Sequence, residues 1–223
     1  MAIAYDAVSV GSATGTSLTV AHTCTGANLV LIVGLKENNV EAETCTGITY
    51  NGVALTKITG LLHPPAYNVY NSLWYLINPS TGANNIVASF SASIWCRASG
   101  VSYTGCKQSG IPDASGTNEQ TDTATYNTSL TSVADNCWHI MHVQNGTGNH
   151  AAGTATTIRG TASDSNIADS NSAKTPAGSV TLQVTGTAAT WDWSSAIITL
   201  APYVAVGGLS IPVAMHHYKM MRN

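Results

Sequence analysis

Between Tyr67 and Gly110 the chain leaves no room for a helix. Tyr67–Asn78 is dense in aromatic and branched residues, whose stiff Cβ positions suit a pleated surface. Asn78-Pro79-Ser80-Thr81-Gly82 is turn chemistry: proline presets φ and glycine admits φ > 0. Asn85–Ala92 then alternates, with Ile86, Ala88 and Phe90 on one face and Val87, Ser89 and Ser91 on the other. Trp95–Gly105 makes a third strand after a short polar break. Three strands joined by turns are predicted here, and the core is expected to form around them.

The flanking sequence reads the same way. Tyr5–Val10 and Ser17–His22 alternate on either side of Gly-Ser-Ala-Thr-Gly and are predicted as two strands of a hairpin. Leu29–Val33 is an unbroken branched run that predicts a central strand buried on both faces. Ile48–Ile58 predicts a hairpin turning on Asn51-Gly52. Further strands are expected at Cys137–Gln144, Ala155–Ala162, Ser179–Thr185 and Ala189–Leu200. Cys106–Gln120 and Ser163–Gly178 read as polar loops. Roughly ten to twelve short strands at hairpin spacing, without crossover helices, predict an all-β, two-sheet antiparallel sandwich over residues 1–202.

Residues 203–223 differ in character. After Gly207-Gly208, Ser210 is placed to cap a short helix with Pro212 in its first turn. Ile211, Val213, Met215, Tyr218, Met220 and Met221 are apolar, and Lys219 and Arg222 make the end basic. Such a tail is expected to dock, either on its own domain or on a neighbouring subunit as an inter-subunit anchor.

Composition narrows the function. Only 9% of the 223 residues are charged, against about 25% in an ordinary soluble protein. Polarity comes from Thr, Ser, Asn and Gly, which suit surfaces that touch other proteins. Net charge is −3 with no basic stripe, so no nucleic-acid partner is expected. No apolar run reaches the roughly 18 residues of a membrane span, and no membrane partner is expected. The N-terminus lacks a basic region followed by an apolar run, so no signal peptide is expected. The chain reads as cytosolically made or as a mature form.

Residue types that carry chemistry are scattered. Cys24 and Cys45 sit in identical Thr-Cys-Thr-Gly tetrapeptides flanking one strand. A disulfide at one end of the sandwich is one reading, and separate thiols are the other. His139 and His142 fall on opposite sides of a strand and cannot share a metal there, whereas Cys137, His139 and Met141 share a face. Glu37, Glu41 and Glu43 read as a solvated edge. Asp164, Asn166 and Asp169 read as turn residues rather than a calcium loop. No Gly-x-Ser-x-Gly elbow occurs. No catalytic residue, metal or cofactor is expected. Tyr67, Tyr70 and Trp191 are the candidates for a sugar-stacking platform, although core is the favoured reading for Trp191 and Trp193.

The succession SLTVAHT, NLVLIVGL, ITYNGVALTKI, SLWYLINPSTGANNIVASFS and ASGVSYTGCKQSGIPDASG resembles an uncharacterised β-sandwich module. That module recurs in bacteriophage structural proteins and large bacterial surface proteins. The resemblance spans about residues 5–202 and is most specific over Ile48–Ile58, Ser72–Ser91 and Val101–Gly116. It implies a jelly-roll or immunoglobulin-like sandwich serving as a building or display unit, with no activity to carry over. The expected role is a structural subunit of a phage-like virion, as capsid or tail, or of an extracellular assembly. Its partners would be other copies of itself, as a homo-oligomer, or neighbouring structural proteins. The alternative is a carbohydrate-binding or adhesion module, extracellular or on a cell surface.

Overall fold

The computed structural model describes residues 1–63, 68–145, 148–162, 164–187 and 192–205. Among these the chain is all β, and every paired strand is antiparallel. The first sheet takes β1 (Ala4–Cys24), β2 (Val30–Asn38), β3 (Cys45–Tyr50), β4 (Val53–Ala54), β5 (Thr56–His63), β6 (Val69–Ile77) and β7 (Gly82–Thr104). The second takes β8 (Ala114–Gln120), and the third β9 (Thr125–Thr131). After them β10 (Trp138–Asn145) joins the second sheet and β11 (Ala151–Ala152) the third. β12 (Thr157–Ala162) and β13 (Ser165–Asp169) join the second, β14 (Ser179–Thr185) the third, and β15 (Trp193–Leu200) the second.

The first sheet nearly closes on itself because two of its strands are long and bent. β7 carries β3 beside its first half and β2 beside its second, while β1 follows its other side throughout. The register breaks once in mid-strand, where Gly15 pairs with Ile94 and Ser17 with Ser89. Thr16 alone therefore spans residues 90–93, a bulge at which the paired strands turn a corner. Gly11–Gly15, predicted as a hairpin turn, is thus the approach to this corner within one continuous strand. The predicted strands 85–92 and 95–105 likewise fall on one strand, which ends at Thr104, rather than two.

Three hydrophobic clusters fill the spaces between layers. Inside the folded-over first sheet, Leu31, Val33 and Leu35 of β2 meet Ile86, Ala88 and Phe90 of β7 with Tyr50, Trp74 and Leu18. On the other face of β2, Val30 and Ile32 pack with Leu73, Val101 and Tyr103 against Trp138, Ile140, Ile167 and Ile198 of the second sheet. The second sheet turns Met141, Val143, Trp193 and Ile197 towards Tyr126, Leu182 and Val184 of the third. β2 is therefore buried on both faces, as its unbroken apolar run predicts. Three sheets stand where two were expected. The additional strands β8 and β13 lie in stretches whose polar residues disguise them as loops.

The hairpin at Asn51-Gly52 forms as predicted: both residues have positive φ (50° and 77°), the geometry the dipeptide favours.

Candidate functional site

The interface between the first and second sheets changes character along its length. Its apolar end is the cluster around Ile32 and Ile140. Further along each strand, on the same faces, the apolar side chains give way: β2 carries Gly34 and then the polar Lys36, β6 carries Asn71, and β7 carries Arg97 and Ser99. Opposite them are His142 and Gln144 on β10, Ser165 on β13 and Ser194 on β15. This polar half brings Lys36, Arg97, His142 and Asp164 together.

His142 is its centre and is wholly buried. Its Nδ1 lies 2.6 Å from Asn71 Oδ1 and its Nε2 lies 2.9 Å from Ser165 Oγ. Asn71 Nδ2 donates in turn to the carbonyl oxygens of His142 and Ser194, at 3.3 and 3.1 Å. The pattern suits a neutral ring with its proton on Nδ1, donating to Asn71 and accepting from Ser165. Burial, reinforced by the nearby Lys36 charge and His150, pushes the His142 pKa down to about 3. The ring occupies the space a Cβ at position 34 would fill, so glycine there is a packing requirement.

Lys36 supplies a buried charge, with a side chain that is 0% exposed. Its Nζ donates to Asp164 Oδ2 at 2.6 Å and to the Asn145 carbonyl at 3.1 Å. Arg97 pairs with the other oxygen of Asp164. Both cations face the Trp95 ring, at 5.7 and 4.9 Å from its centroid. Burial lowers the Lys36 pKa, and Asp164 opposes that shift. His150 sits at the far side, 2.6 Å from Asn166 Nδ2 and tilted on Trp193; burial takes its pKa down to about 4.

Asn71, His142 and Ser165 have the connectivity of an orienting group, a base and a nucleophile. All three are wholly buried between two sheets. In that position the chain acts as a polar bolt that fixes how the sheets register, since an unpaired donor or acceptor there costs about 1–3 kcal/mol.

The residues singled out in the sequence are dispersed. Cys24 and Cys45 are free thiols, so the disulfide is not formed. The ladders give the reason: Cys24 pairs with Gly82 and Cys45 with Phe90 of β7. Eight residues of strand separate them by about 27 Å, far beyond the roughly 7 Å limit for a disulfide's Cα atoms. They lie at opposite ends of β3's neighbourhood, not at one end of a sandwich. Burial pushes the Cys45 thiol up to about 12.

Tyr70 is half-buried, with Lys57 Nζ hydrogen-bonded to its hydroxyl at 3.0 Å and lying over its ring. One face is thus already covered. Tyr67 and Trp191 lie outside the described residues, as do Ile211, Val213, Met215, Tyr218, Met220 and Met221 of the tail. Trp193 is wholly buried, stacked on Tyr126 and donating to the Thr123 carbonyl. His139 faces the third sheet and contacts the Leu130 carbonyl, opposite to His142. Asp164 and Asp169 are both engaged by protein cations, Asp169 by Arg159 at 2.7 Å. Glu37 is no solvated edge: it is wholly buried, with Oε2 accepting from Thr44 and Cys45.

The sequence reading missed the polar half. Its signal was there in Cys137–Gln144, where His142 and Gln144 continue the face of Trp138 and Ile140.

A second feature lies at the end of the described chain. A cleft of about 590 Å³ is lined by Met1, Ile3, Trp138, Pro202, Tyr203 and Val204, among others. Met1 is 70% and Val204 75% exposed, so apolar surface surrounds the point from which residues 206–223 depart. The Met1 ammonium donates to the Tyr203 carbonyl at 2.8 Å, and Tyr203 N–H bonds Gly105 O, which holds the N-terminus and the last described residues at this end. No family model, curated protein or solved structure matches the chain.

Proposed function

We propose that the chain is a structural subunit that associates with copies of itself or with neighbouring structural proteins, in a phage-like virion or an extracellular assembly. The stacked sheets are then a sandwich of the jelly-roll or immunoglobulin-like kind, as the resemblance to phage and surface-protein modules implies. Residues 203–223 are the connector. One observation carries the reading: an open apolar cleft lies where a segment rich in Met, Val and Ile leaves the body. Exposed apolar surface of this kind is costly in water and marks association sites. The buried polar centre agrees with a scaffold role, because His142, Lys36 and Arg97 are each held by protein groups.

The test is sedimentation of the full chain with and without excess synthetic peptide of residues 206–223. The peptide is expected to compete for the cleft and shift the chain to smaller species. An assembly indifferent to the peptide contradicts the connector role.

A further inference from the structure

We propose that the free side of β1 is a docking edge for β1 of a second copy, extending two layers of sheet across a two-fold axis at once. The proposal rests on the self-association reading but on a different surface from the tail.

β1 is doubled over. Its halves face each other across the corner at Thr16: Ser9 Oγ contacts His22 Nδ1 at 2.9 Å, and Gly11 packs so closely on Val20 that a Cβ would come within 2.6 Å of Cγ2. Each half pairs with β7 on one side, and among the described residues neither half has a strand on the other. β12 lies against the first half through Gly160 on Val8 and Val10, without pairing. Two stacked strand edges are therefore left with unpaired peptide groups.

Edges of this length are ordinarily guarded by Lys, Pro, inward charge or bulges; β1 has bulges only beside Asp6 and Thr16, which leaves the rest of it in regular register. From Ala7 to Cys24 there is no Lys, Arg, Asp, Glu or Pro. The exposed residues are small and neutral: Ser12, Thr14, Thr16, Ser17, Thr19, Ala21 and Thr23. A single extended peptide would pair with one layer and leave the other open. A second copy carries the same doubled strand, so it fills both layers together and brings no charge against charge. Pairing like with like makes the contact antiparallel and closed, the geometry of a two-fold dimer.

The test uses the full chain. Thr16→Lys with Thr19→Lys places charge on exposed positions, and thermal melting by circular dichroism checks the fold. Dimerisation is expected to weaken at least tenfold in sedimentation equilibrium. In a second measurement Thr14→Cys, Thr16→Cys, Thr19→Cys, Ala21→Cys and Thr23→Cys are oxidised singly. A cross-linked dimer is expected to peak at the residue nearest the axis and decline on either side, with Thr185→Cys on the third sheet as the unlinked control. Unchanged association of the lysine variant, or cross-linking no stronger on β1 than at Thr185, overturns the proposal. If the lysine variant is unchanged while the 206–223 peptide disrupts association, the edge fails and the tail reading stands. If the peptide is inert while β1 cross-links, the reverse holds.

Discussion

Ser9 and His22 lie thirteen residues apart on one strand and are hydrogen-bonded to each other, Oγ to Nδ1 at 2.9 Å. His22 passes the contact on to Ser102 at 3.1 Å, and Ser102 donates to Asp6 at 2.6 Å. One strand thus supplies two layers, and the contacts between its halves hold the first sheet in its nearly closed form.

Close approach at two glycines follows from this layering. Gly11 abuts Val20 and Gly34 abuts the His142 ring, whereas a Cβ at Gly47 would meet no atom within 4 Å. Gly11→Ala and Gly34→Ala are expected to destabilise by about 1–3 kcal/mol each through overpacking. Gly47→Ala is expected to be neutral or slightly stabilising, since it restricts the unfolded chain. Urea denaturation of the three variants checks the ordering, and equal midpoints would contradict it.

Asp164 holds two cations, of which Lys36 is the buried one. Asp164→Asn leaves that ammonium without a counter-charge and is expected to cost about 3–5 kcal/mol. Lys36→Met removes the buried charge while Arg97 still pairs with Asp164, so its cost is expected to be smaller. Chemical denaturation gives both values; a Lys36→Met variant less stable than Asp164→Asn would show that the lysine stem, not charge pairing, dominates here.

Acid is expected to loosen the fold well above the carboxylate range. An unfolded histidine takes up its proton near pH 6.5, but His142 in the fold does so only near about 3 and His150 near about 4. Between those values the unfolded chain binds the proton and the folded chain does not. Stability is therefore complete above about pH 6.5 and falls as pH drops, by up to about 1.4 kcal/mol per unit for His142. His22 and His139, also lowered by burial, act in the same direction. Glu37 opposes them, because burial raises its carboxyl and its penalty eases as it protonates. Urea midpoints at pH 7.5 and 5 measure the sum, and His142→Gln is expected to flatten the difference.

All five cysteines are free, and burial raises every one of their thiol pKa values, to about 12 at Cys45, Cys106 and Cys137. Few thiolates form at neutral pH, so the native chain is expected to resist a thiol-specific chromogenic reagent. Unfolded without reductant, it should release five equivalents. Three would reveal a disulfide.

Local chemistry was legible in the sequence and long-range joining was not. The alternation of Ile86, Ala88 and Phe90 marks their face correctly, and Asn51-Gly52 turns where its positive φ preference places it. Gly11–Gly15 misleads because small residues serve a strand corner as well as a turn. β13 escapes notice because Ser165, Asn166 and Asp169 look like loop residues, yet each spends its polar group inside the protein, on His142, His150 and Arg159. The spacing of Cys24 and Cys45 suggests proximity that only the register on β7 can refute. One side of the polar centre shows in Cys137–Gln144, but its partners Asn71 and Ser165 come from distant strands that this stretch does not reveal.

Self-association is tested most directly by static light scattering over a concentration series, comparing the full chain with one ending at Ala205, which keeps the Tyr203–Gly105 hydrogen bond. The full chain is expected to grow beyond a dimer, and the shortened chain to stop at the dimer that β1 forms. A full chain that stays monomeric throughout the series would contradict the account.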